Sequence, residues 1–171
     1  MNKKTKSLNS ISTLLIAIGF SLCVGSIAAF IAMNIIAPEN GADLDFIHWQ
    51  RHFINPIMAY VTVPGIWLFL AGNAGLFFVQ PRKNLFGIIQ LILAVLVFAN
   101  GLFLIVPTAK IASGLAAEPT GLSGNIELFL QKKTMEDSLG GVNLVLLIAY
   151  LIVTTIQNYK NHDKRNKHQT V

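Results

Sequence analysis

Four uncharged stretches constrain this chain more than any other feature. No Asp, Glu, Lys or Arg occurs between Lys6 and Glu39, Arg51 and Arg82, Lys83 and Lys110, or Asp137 and Lys160. A helix needs roughly 20 mainly apolar residues to cross about 30 Å of hydrocarbon, and every gap is long enough. Backbone polar groups in lipid must be paired internally, and uninterrupted segments of this length achieve that as helices; barrel strands would run about 10 residues with alternating polarity. The fold class is therefore all-α, an antiparallel bundle of four transmembrane helices. The spans are placed at about 11–36, 56–79, 85–106 and 139–159, forming one transmembrane domain over 11–159, with outer loops at 37–55 and 107–138. Residues 1–10 and the basic tail 160–171 flank it. Charged residues make up 12% of the chain against about 25% in soluble domains, which argues against a soluble enzyme.

The first segment also has the basic start of a signal peptide, with Lys3, Lys4 and Lys6 ahead of an apolar run and small residues at Ser26-Ile27-Ala28. The run continues to Ile36, beyond the 7 to 15 residues of a signal core, so it is read as a retained span. Leu22 precedes Cys23 where a lipoprotein would carry a small residue. As the single cysteine, Cys23 has no partner in the chain for a disulfide and reads as a small buried thiol.

Lys and Arg in short flanks stay on the cytoplasmic side. Lys3, Lys4, Lys6, Arg82, Lys83, Lys160, Lys164, Arg165 and Lys167 share one side with a single acid, Asp163. The other side carries Arg51, Lys110, Lys132 and Lys133 against Glu39, Asp43, Asp45, Glu118, Glu127, Glu136 and Asp137. Both termini are expected in the cytoplasm of a bacterium, with the spans in its inner membrane. The net charge of +5 is then a topology signal with some attraction to anionic headgroups. The partners left open are membrane lipids, a second copy of the chain and other membrane proteins; nucleic acid is not among them.

Within the first span, Ala17, Ser21, Gly25 and Ala29 recur at four-residue steps, the pattern that lets helix backbones approach closely in lipid. Gly65, Gly72 and Gly75 repeat the theme in the second, where Pro64 removes a backbone donor and should kink the helix. The short Gln80–Asn84 connection makes the second and third spans antiparallel neighbours. Asn125–Met135 has apolar and charged faces and is expected as a short helix lying at the outer interface.

No ionisable residue falls in the middle of a span, where a charge is usually kept for ion or proton movement, so a pump or ion-coupled carrier is not indicated. The polar residues inside the spans are the amides Asn73, Gln90, Asn100 and Asn143, expected to bond between helices. No phosphate loop, dinucleotide fingerprint, CxxC pair or nucleophile elbow is present. The candidate cofactor group is His48, Arg51 and His52 beside Trp49. If the helix extends back to them, the histidines at i and i+4 share a face that can hold a metal or meet a haem propionate, with Arg51 available to pair a carboxylate. The same residues also make an ordinary interface anchor.

The stretch from Arg51 to Gly65, followed by a glycine-containing helix, resembles the second helix of small four-helix bacterial membrane proteins. These include the CopD-like copper-export domain, HemJ-type protoporphyrinogen oxidases and predicted integral membrane proteins of unknown function. Glu136 to Gln157 resembles their last helix. The resemblance implies the four-helix architecture, with haem or copper as cofactor. The chain departs from it in having no histidine in the first span, and Lys83 alone matches the HemJ-type lysine, so the oxidase activity does not carry over. For copper, Met33, Met58 and Met135 join His48 and His52 as a thin donor set. The leading expectation is a non-catalytic or accessory inner-membrane protein; the alternative is a haem- or metal-associated redox protein or carrier.

Overall fold

The computed structural model describes residues 3–36, 44–79, 85–117 and 121–169, with side chains described for 5–36, 45–79, 85–117 and 124–160. The basic residues Arg82 and Lys83, the acids Glu39, Asp43 and Glu118, and the side chains of Lys3, Lys4 and the tail beyond Lys160 lie outside the described residues. All described elements are helical. They are α1 (Lys3–Ile36), α2 (Leu44–Ile57), a π-helical turn (Met58–Thr62), α3 (Val63–Val79), α4 (Leu85–Ala99), a second π-helical turn (Asn100–Ile105), α5 (Val106–Ala117) and α6 (Gly121–Gln169). Across the π turns these join into four long helices, each long and apolar enough to cross a membrane.

The helices outrun the expected spans. Residues 44–55, expected in an outer loop, form α2, and residues 107–117 continue the third helix. Asn125–Met135 is not a separate interfacial helix: the chain kinks at Asn125 (φ −130°, ψ 21°) and then runs straight into the last span. The uncharged gaps mark the stretch that suits hydrocarbon, whereas a helix persists wherever its charges find partners or water. The 35 residues from Asp45 to Val79 measure about 52 Å at 1.5 Å per residue, well beyond a core of about 30 Å.

Each π turn ends two residues before a proline. The Val63 N–H donates to the Met58 carbonyl ahead of Pro64, and the Val106 N–H donates to the Gly101 carbonyl ahead of Pro107. A proline ring clashes with the carbonyl four residues back, here Tyr60 and Phe103, and the wider turn moves that carbonyl away. The Thr62 hydroxyl donates to the Ile57 carbonyl, five residues back, at 3.4 Å.

The closest backbone approach joins α1 to α3. A Cβ on Gly65 would lie 2.8 Å from the Leu22 Cβ, and one on Gly72 only 2.7 Å from the Ile16 nitrogen. Gly19, buried against Gly65 and Phe69, completes the contact from the α1 side, and Gly75 abuts the Ser12 hydroxyl. The expected α1 stripe does not form this interface. Ala17, Ser21 and Gly25 are exposed and Ala29 is half-buried, and a Cβ on Gly25 would meet nothing within 4 Å. The contact face is rotated from that stripe, running through Ser12, Gly19, Cys23 and Ser26. Four-residue steps find a face, but the glycines of α3 decide which face of α1 they accept.

Cys23, Ile66, Phe69, Val97, Leu147 and Tyr150 form the central core. Around it, amides and hydroxyls tie the second and third long helices to α6. Tyr150 donates to Asn73 Oδ1 at 2.9 Å, Gln90 donates to Thr154 Oγ1 at 2.9 Å, and Asn100 donates to both Asn143 Oδ1 and the Leu139 carbonyl at 2.9 Å.

Candidate functional site

The buried face of α2 repeats as Ile47, Arg51, Ile54 and, into the π turn, Met58. Arg51 therefore occupies a position that helical periodicity gives to the core, and its side chain is only 4% exposed. On α6 the inward residues Phe129, Glu136, Asn143 and Tyr150 recur every seven, which brings Glu136, 7% exposed, opposite Arg51. Arg51 Nη1 donates to Glu136 Oε2 at 2.6 Å, and the guanidinium lies 5.4 Å from the centre of the Phe129 ring. A charge taken out of water needs such a partner. The pair leaves two buried atoms without one: Arg51 Nε, a donor, and Glu136 Oε1, an acceptor.

A second polar cluster adjoins it. Asn34, on α1, accepts at Oδ1 from Gln50 Nε2 at 3.1 Å and from Lys133 Nζ at 3.0 Å, and donates from Nδ2 to Asp137 Oδ1 at 3.2 Å. Lys133 also pairs with Asp137 at 3.4 Å across one helical turn. Arg51, Lys133, Glu136 and Asp137 thus form a locally neutral set.

This polar set caps a cavity of about 180 Å³ between α1, α3, α4 and α6. Asn34, Arg51 and Glu136 line one end, and Cys23, Ile66, Val97 and Leu147 line it deeper in. Its long walls belong to α1 and α6. Ile31 and Gly141, which line it, are exposed, so the slot follows the α1–α6 seam. A Cβ at Gly140 or Gly141 would meet nothing within 4 Å; these glycines leave the room on the α6 side. The polar groups deeper along the slot have partners within the fold: Ser26 donates to the Cys23 carbonyl, Thr62 to that of Ile57, and Asn143 accepts from Asn100.

The candidate cofactor residues are divided by the same helix. His48 and His52 lie on the exposed face of α2, while Arg51 turns inward to Glu136. His48 Nδ1 lies 3.3 Å from the Ala116 carbonyl, which places a proton on that nitrogen. Trp49 is exposed and packs between Phe46 and Phe53, with ring centres 5.7 and 4.8 Å away. Among the described residues no three His, Cys, Asp or Glu side chains gather as a metal-binding group.

Glu136 escapes a reading based on uncharged gaps because it sits just outside one. The signal that would have found it is the seven-residue step back from Asn143. Likewise Arg51 stands out once Ile47, Ile54 and Met58 are seen on its face. Comparison with known proteins finds no matching family model, no matching curated protein and no matching solved structure.

Proposed function

We propose that this chain is a multi-pass protein of the bacterial inner membrane, an antiparallel four-helix bundle with both termini in the cytoplasm, that acts as a non-catalytic binding or accessory protein. Its working element is the slot on the α1–α6 seam. The observation that carries this reading is the buried Arg51–Glu136 pair at the head of the slot, with one unpartnered donor and one unpartnered acceptor. A pair serving stability alone is commonly matched or bettered by apolar residues of the same volume, so a pair placed at the end of a cavity fits a binding role better than a purely stabilising one. Native mass spectrometry of the protein released from mild detergent tests the reading. The parent is expected to carry a small amphiphile that Gly140→Phe, which fills the slot, does not retain. No bound molecule in the parent, or equal retention in the variant, overturns it.

One observation favours a second reading: His48 and His52 share an exposed face of α2, where a haem or copper ion could be held with donors from outside the chain. A stoichiometric Soret band or bound copper, lost in the double histidine-to-alanine variant, selects that reading.

A further inference from the structure

The geometry points to an occupant for the slot: a single-chain, uncharged amphiphile whose head both donates and accepts a hydrogen bond, as a long-chain alcohol or primary amide does, with its chain entering sideways between α1 and α6. This rests on the reading of the slot as a binding site and adds the chemistry of what it takes.

The head chemistry follows from the cap. Arg51 is paired with Glu136, and Lys133 with Asp137, so the cap presents no net charge to a guest. An anionic head would compete for Arg51 and leave Glu136 a buried charge without compensation; a cationic head would do the reverse to Arg51. A neutral head can instead accept from Arg51 Nε and donate to Glu136 Oε1, the two buried atoms that lack partners, and the 2.6 Å ion pair stays intact. Buried polar atoms are nearly always satisfied, and a head that carries both a donor and an acceptor supplies what Arg51 Nε and Glu136 Oε1 lack.

The chain follows from the walls. Asn34 to Cys23 on α1, and Glu136 to Leu147 on α6, each cover about 16 Å at 1.5 Å per residue. An engineered apolar cavity of about 150 Å³ holds one benzene; 180 Å³ drawn out along that length suits one slender chain better than a ring system or a two-chain lipid. Exposed Ile31 and Gly141 along the seam give such a chain a way in from the bilayer without crossing the polar cap.

The test is photolabelling of the full-length protein in lipid nanodiscs with dodecanol carrying a mid-chain diazirine, adducts being mapped by peptide mass spectrometry. Labelling is expected on peptides that contain Ile66 or Leu147. Unlabelled dodecanol and dodecanamide should compete at least about tenfold better than dodecane, dodecyl phosphate or dodecyltrimethylammonium, the effect of one hydrogen bond to a charged group. Gly140→Phe should abolish labelling with no loss of thermal stability, since a Cβ there meets open space. The double variant Arg51→Met/Glu136→Leu should keep the label and lose the head preference. Slot labelling with equal competition by dodecane, or with preference for the phosphate or ammonium compound, overturns the head chemistry and leaves the slot a binding site. Labelling indifferent to Gly140→Phe overturns the slot itself.

Discussion

Among the described residues Arg51 has a single ion-pair partner, Glu136, and that fixes how its substitution should behave. Arg51→Ala strands Glu136 as a buried charge and is expected to lower stability by about 3–5 kcal/mol, whereas Arg51→Met with Glu136→Leu should return it to the parent value or above. Denaturant unfolding in detergent micelles reads both, and additive losses in the double variant would show that the two side chains act independently. Small residues divide as sharply. Gly72→Leu drives a side chain into the α1 backbone, where a Cβ alone would be 2.7 Å from Ile16, and should cost at least the 1–3 kcal/mol typical of overpacking. At Gly25 a Cβ would meet nothing within 4 Å, and Gly25→Leu should leave the melting temperature within a degree or two of the parent. The reverse ranking would mean that α1 presents its other face to α3.

The π turns give the second and third helices their shape. A π turn holds one residue more than the α-helix on either side, so deleting exposed Ala59 rejoins α2 and α3 in register as a plain helix. That brings the Tyr60 carbonyl back under the ring of Pro64, a clash of about 3 kcal/mol in a helix interior. The deletion alone is therefore expected to destabilise the protein, and the deletion combined with Pro64→Ala to recover most of the loss, as followed by thermal circular dichroism; no recovery would assign the turn to some cause other than the proline. Pro64 was legible in the sequence as a point of irregularity, but its form was not, because a kink and a π turn both relieve the same clash. The apolar spans were legible because hydrocarbon excludes charge. Their continuation through α2 and the start of α6 was not, because Arg51 and Glu136 are tolerable there only as a pair, and pairing between residues 85 apart leaves no mark in either local stretch. The slot depends further on which helices adjoin, and on Gly140 having no side chain to fill it.

At the scale of the whole molecule, the reading of both termini as cytoplasmic predicts a pattern of access. With Cys23 replaced, single cysteines at Asn40 and Thr120 should react with an impermeant thiol reagent added to intact cells, and those at Asn84 and Asn166 only after the membrane is opened. Reaction at Asn84 from outside would overturn the four-span arrangement. The distribution of contacts also bears on how the chain is made. The close glycine contact unites the first two long helices, so that pair can form while the ribosome is still translating. Arg51 belongs to the pair, but Glu136 follows 85 residues later, a delay of roughly 4 to 17 s at 5 to 20 residues per second. During that interval the nascent protein carries a cation on its inward face with its carboxylate not yet synthesised. In the membrane arrangement proposed above, the insertion machinery, a lipid headgroup or water at the membrane boundary must shelter it until the last helix arrives, and the arrival of that helix both neutralises the charge and closes the fourth wall of the slot.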